Sequence, residues 1–173
     1  LLPRIFRKLG KSVLRILKRE LQNLQDKNVL IEIESEIDKN LINALNNIST
    51  SNEDLAWDWF CCRRLNTSDL RKIGVRYNIN SDDEARRMLI DFLKLIHYLN
   101  YNSLLLLIDE FEYLLEQRTK AIQYLEHFRD LYTLVNEESS RNKEKKLANL
   151  FILFAGTAES FEKIEELGPS ARP

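Results

Sequence analysis

The chain has 173 residues, 44% of them hydrophobic, which suits one domain with its own core and is too apolar for a disordered tail. Lys and Arg total 26 against 27 for Asp and Glu, so the formal net charge of −1 implies no long-range pull towards nucleic acid or an anionic membrane. No apolar run approaches the ~20 residues that cross a bilayer and no signal peptide is visible, so a soluble, cytoplasmic protein is expected.

The first 20 residues carry seven basic side chains (Arg4, Arg7, Lys8, Lys11, Arg15, Lys18, Arg19) and one acid, Glu20. Pro3 stands where a helix can begin, and Ile5, Leu9, Val13, Ile16, Leu17, Leu21 and Leu24 recur at three- and four-residue steps, which predicts a cationic amphipathic helix. "LIEIESEIDKNLINALNNI" continues helical spacing through Ile33, Ile37, Leu41, Leu45 and Ile48, although its opening alternates and also fits a short extended stretch. "SNED" at 51–54 reads as a helix start capped by Ser51, with the helix running past Trp57 and Phe60 to about Arg64. The adjacent Cys61 and Cys62 diverge on such a helix, so reduced thiols are expected rather than a strained bridge.

Ser68 is the expected cap of a short helix ending near Gly74. "SDDE" at 81–84 has the form of a capping box, Ser81 with Glu84, leading a helix whose inner face is Ala85, Met88, Leu89, Phe92, Leu93 and Ile96. After "NYN" comes "LLLLI" at 104–108, too short and uniformly apolar for a surface helix; it predicts a strand buried on both faces, as in a parallel sheet. A helix from about Thr119 to Glu137 buries Ile122, Leu125, Phe128, Leu131 and Val135. A charged loop, the second apolar strand "NLFILFAG" at 149–156, and a helix from "TAESFEKIEEL" complete a βαβ rhythm. Residues 1–100 are thus a helical region and 101–173 the βαβ part; the absence of an initiator Met and the abrupt "LGPSARP" suggest a piece of a longer polypeptide.

Asp109 and Glu110 follow the first strand directly, and Gly156 and Thr157 follow the second. Ligands of open α/β sheets bind at the carboxyl ends of the strands, so two parallel neighbours would gather these four residues at one rim. One carboxylate there can hold Mg²⁺ and the next can orient an attacking water. The competing structural reading makes Asp-Glu an acidic lead-in to the following helix.

Apolar residues running into Asp-Glu resemble the Walker B segment of AAA+ ATPases. That resemblance implies Asp109 for Mg²⁺, Glu110 as the catalytic glutamate and Thr157 as the sensor of the γ-phosphate. "LNYNSLLLLIDEFEYLL", "FRDLY" at 128–132 and "FILFAGTAESFEKIEELG" further resemble the ATP-binding proteins of BREX-type phage-defence systems, over roughly residues 55–168. The implied fold class is α/β: a partial P-loop NTPase, AAA+-like, mostly helical with at least two adjacent parallel strands. The implied activity of the parent is ATP hydrolysis with Mg²⁺, coupled to DNA handling or remodelling of a defence complex. A replication-initiator-like or signalling P-loop ATPase shares these residues, and a non-catalytic helical interaction module is the alternative from another class.

Such a site also needs Gly-x-x-x-x-Gly-Lys-Ser/Thr, whose backbone N–H groups and lysine surround the phosphates. "GKS" at 10–12 does not qualify, because position 5 is Ile5, no strand precedes it and it sits inside the amphipathic pattern. The fragment itself is therefore expected to bind little ATP and to be inactive. By the same resemblance Arg118, Arg129 and above all Arg172 are candidates for an arginine acting across a subunit boundary, although each also fits a solvated surface. His97 and His127 lack a second ligand at metal spacing. Lys8, Lys11 and Arg15 could meet DNA phosphates, and open sheet edges would favour self-association.

Overall fold

The computed structural model describes residues 2–108 and 148–159, together with 122, 125, 126, 128–133, 135, 136 and 162; the side chains of 2–9 and 108 are not among those described. Six helices precede two strands: α1 (Leu2–Asn23), α2 (Lys27–Glu36), α3 (Lys39–Asn47), α4 (Glu53–Phe60), α5 (Thr67–Lys72), α6 (Asp82–Tyr98), β1 (Ser103–Ile108) and β2 (Asn149–Phe154). The chain is thus mostly helical with two adjacent parallel strands, a partial α/β fold. It divides into two compact units, Leu2–Leu104 with Lys146–Ala148, and Leu105–Lys145 with Asn149–Pro173. Among the described residues no helix is long and apolar enough to cross a membrane.

In the helical unit α3 packs on α1 and α4, and α6 takes α1, α2 and α3 against its inner face. The predicted face of α6 (Ala85, Met88, Leu89, Phe92, Leu93 and Ile96) is buried, as are Leu14, Leu17 and Leu21 of α1 and Ile33, Leu41 and Leu45 of the next two helices, all three of which pack on α6. Trp59 is fully buried, and its indole N–H donates to the Tyr77 carbonyl at 2.8 Å, so the ring's one polar atom is satisfied inside the core. Cys61 and Cys62 are both thiols.

Four boundaries differ from the sequence reading. α1 contains a break: Gly10 has φ 72 and ψ 160, outside helical geometry, and glycine adopts this at no steric cost. The helix expected across Ile33 to Ile48 is two helices, because Asp38 turns its carboxylate to the Asn40 N–H and starts α3 anew. Asn52, not Ser51, precedes α4, which stops at Phe60. Asn66, not Ser68, caps α5 by accepting from the Asp69 N–H at 2.9 Å.

The C-terminus of α5 is closed by two asparagines of α3. Asn43 Nδ2 donates to the Gly74 carbonyl at 2.7 Å, and Asn47 Nδ2 to that of Ile73 at 3.1 Å, satisfying carbonyls that the helix leaves open. Gly74 itself has φ 68, the left-handed turn that ends a helix. The capping box of α6 is present in both directions: the Glu84 N–H donates to Ser81 Oγ at 3.2 Å, and the Ser81 N–H to Glu84 Oε2 at 3.1 Å.

In the second unit the strands are not buried on both faces. Burial alternates: Leu106 is buried while Leu105 and Leu107 are exposed, and along β2 Phe151 and Leu153 are exposed between half-buried Leu150, Ile152 and Phe154. Leu125, Phe128, Leu131 and Val135 are buried as expected, and the Phe128 ring meets that of Phe154 edge-on at 4.9 Å.

Candidate functional site

Because β1 and β2 are parallel neighbours, their carboxyl ends share one rim of the sheet. β1 ends at Ile108, and the next two residues in sequence are Asp109 and Glu110. β2 ends at Phe154; Ala155, Gly156 and Thr157 follow as exposed, irregular backbone, and Ala158 and Glu159 are already helical. Thr157 therefore stands at a strand-to-helix turn, three residues past the strand. Its hydroxyl can both donate and accept a hydrogen bond.

Asp109, Glu110, Arg118, His127 and Arg172 lie outside the described residues. Arg129 is exposed and borders an open hollow between its helix and β2, with Tyr132, Val135 and Phe151. His97 is half-buried, its ring against Tyr98 at 6.2 Å between centroids. Among the described residues no group of three His, Cys, Asp or Glu could hold a metal ion.

Two residues of the "GKS" triplet, Gly10 and Lys11, have structural duties. Gly10 is the break in α1, and Lys11 Nζ is 2.6 Å from Asp54 Oδ1, an ion pair that holds the Asp54 carboxyl below its ordinary range. Arg15 is likewise 2.6 Å from Glu53 Oε1, and Lys18 donates to the Ile48 carbonyl at the end of α3. The cationic helix thus spends Lys11 and Arg15 on the first turn of α4, where acidic residues already favour the helix dipole.

A polar centre that the sequence did not suggest lies where the α2–α3 junction meets α6. The Asp38 N–H donates to Asp91 Oδ2 at 3.1 Å, while the Asp38 carboxylate accepts from the Tyr77 hydroxyl and from Asn40 Nδ2 at 2.8 Å. Lys94 stands 3.5 Å from Asp91 and Tyr98 donates to Glu36 at 2.8 Å. Burial pushes the Asp91 carboxyl above its ordinary range, the Asp38 charge adds to the rise, and the Asp38 N–H and Lys94 oppose it. Tyr77 is pushed up to about 12, by burial first and by its bond to the Asp38 carboxylate second. Asn40, buried, answers the Arg76 N–H with its Oδ1 at 2.8 Å. These contacts tie one element to another and so fasten the helical unit. Its pairing crosses 53 residues, which no local spacing signals.

Compared with protein-family models, residues 6–166 match the family described as BREX system ATP-binding protein BrxC/D. No curated protein and no solved structure matches the chain.

Proposed function

The chain belongs to the BREX system ATP-binding protein family, and from that membership we propose that it contributes the metal-and-water side of an ATPase site in an AAA+-like P-loop enzyme of the phage-defence system. The observation that carries this reading is the shared rim: parallel neighbours β1 and β2, one continuing into Asp-Glu and the other into Ala-Gly-Thr. In it residues 101–173 are the catalytic βαβ part and 1–100 a helical region. The protein works in the cytoplasm with further copies of itself, and with DNA or other defence proteins as its target.

Two carboxylates and a hydroxyl are hard oxygen donors, a set that fits Mg²⁺ with its preference for one or two carboxylates, water and phosphate oxygens. Asp109 would hold that ion, which when bound neutralises charge on the transferred phosphoryl group. Glu110 orients a water and accepts its proton, the work a carboxylate does at a strand end facing a triphosphate. Thr157, on the turn after β2, would donate its hydroxyl to the terminal phosphate. Arg172 neutralises the same phosphate of a neighbouring subunit.

In this reading Gly10, Lys11 and Ser12 are not the phosphate-gripping loop: the first glycine and the preceding strand are lacking, and Lys11 pairs with Asp54. Residues 1–173 alone are accordingly expected to bind Mg-ATP no tighter than about millimolar in a calorimetric titration. Micromolar binding would show that the chain holds a complete phosphate site and would overturn this division of labour. A role as a helical interaction module without catalysis predicts instead that Glu110→Gln in the intact protein changes nothing.

A further inference from the structure

Among the described elements α2 packs chiefly on α6, and little of it is buried. Ile33 is its buried residue, 1% exposed, and Ile37, its C-cap, is 4% exposed. Ile31 is 64% exposed, and Glu32, Glu34 and Ser35 also face water. Two isoleucines give this helix of 10 residues little apolar surface to hold it, and a helix of that length is marginal by itself.

Polar contacts fasten α2, and they gather at one end. Tyr98 Oη donates to Glu36 Oε2 at 2.8 Å, Lys94 Nζ to the Glu36 carbonyl at 3.5 Å, and the Asp38 N–H to Asp91 Oδ2 at 3.1 Å. Asp91, Lys94 and Tyr98 follow one another at three- and four-residue steps, so they form one stripe along α6. That stripe grips the last residue of α2 and the junction just beyond it. At the other end the Asp26 carboxylate accepts from the Asn28 and Val29 N–H groups at 2.9 and 3.4 Å, bonds that are local to the segment.

We infer that α2 is a strap, which opens away from α6 as one piece while the rest of the helical unit stays folded, and that the stripe of Asp91, Lys94 and Tyr98 sets how often it opens. Opening uncovers Ile33 and Ile37 together with the stripe, a surface that the closed unit hides. The strap is independent of the proposed ATPase site and holds whether or not the chain hydrolyses ATP.

Hydrogen exchange of the whole chain, read at single amides over a urea series, tests this. Leu30 and Ile37, whose N–H groups bond within this segment at 3.1 Å, should exchange faster than fully buried Phe92 and Leu93 of α6 and with a much shallower urea dependence, since a local opening exposes little surface. Tyr98→Phe should speed Leu30 and Ile37 by roughly tenfold, the worth of a hydrogen bond to a carboxylate. Asp91→Ala, which removes the acceptor of the Asp38 N–H, loosens the same end and should act in the same direction. Ser81→Ala weakens α6 at its N-cap in the open and closed forms alike, so it should speed Phe92 and Leu93 and leave Leu30 and Ile37 unchanged. The inference is overturned if α2 shares the rate and urea dependence of α6, if Ser81→Ala speeds both helices equally, or if neither Tyr98→Phe nor Asp91→Ala changes Leu30 and Ile37.

Discussion

Replacing Asp91 with Asn should leave the helical unit as stable at pH 7 as before, or make it more stable by up to about 1 kcal/mol, even though a half-buried charged group is being removed. The Asp91 side chain is only 17% exposed, and its folded environment disfavours the carboxylate. Asn keeps an oxygen to accept the Asp38 N–H, a bond worth about 1 kcal/mol, and removes both the buried charge and its repulsion with Asp38. What it loses is the 3.5 Å pairing with Lys94, a contact of roughly 0.3–0.5 kcal/mol. Asp91→Ala, by contrast, leaves the Asp38 N–H without that acceptor and should cost about 1–3 kcal/mol.

The pH dependence follows from the raised folded pKa. Between the ordinary value of 3.8 and that raised value the native state holds a proton that the unfolded chain releases. Asp91 therefore adds stability as pH falls through its folded pKa, and the contribution is lost again as pH rises. Asn has no such slope, so any advantage of Asp91→Asn at pH 7 should shrink as the solution approaches pH 3.8. Urea unfolding of both variants and the parent at several pH values reads all of this. A loss of more than about 1 kcal/mol for Asp91→Asn at pH 7 would refute the reasoning, because it would mean that the carboxylate is a net asset.

Gly74→Ala should cost about 1–2 kcal/mol in the same assay, because φ is 68 and the new Cβ would sit 3.4 Å from Asn43 Nδ2. Ser81→Ala removes the oxygen that caps α6 and should cost about 1 kcal/mol. Tyr77→Phe should flatten alkaline unfolding: Tyr77 keeps its proton in the fold up to about 12 against 10.0 unfolded, so its stabilisation is present below pH 10 and lost as pH rises through 12. Lys11→Ala in the intact protein should leave ATP affinity unchanged in a binding titration. A large loss would return the "GKS" triplet to the nucleotide site.

Elements with a local chemical signal were legible in advance. The Ser81–Glu84 box and the buried face of α6 follow from side chains three and four residues apart, and the two strands from short apolar runs between polar breaks. The division at Asp38 was hidden because Ile33, Ile37, Leu41 and Leu45 keep four-residue steps across it, so periodicity passes straight over a break made by one side-chain oxygen. Asn52 follows Ser51 and Asn66 comes two residues before Ser68, the serines that looked the better caps, and where a helix starts depends on backbone angles that composition does not report. The leucine run predicted burial of β1 on both faces, whereas Leu106 is buried and Leu105 and Leu107 are exposed, a difference that uniform apolarity cannot signal. At the rim, sequence reasoning supplied Asp109, Glu110 and Thr157. Of these the described residues include Thr157 alone, on the turn after β2.

The central claim, that the two acids after β1 belong to an ATPase site, is tested most directly by measuring ATP turnover and ATP binding of the intact protein with Glu110→Gln. The prediction is that turnover falls by at least about 100-fold while ATP still binds, because the amide can neither accept the water's proton nor carry the charge that orients it. Turnover equal to that of the parent protein would contradict the account.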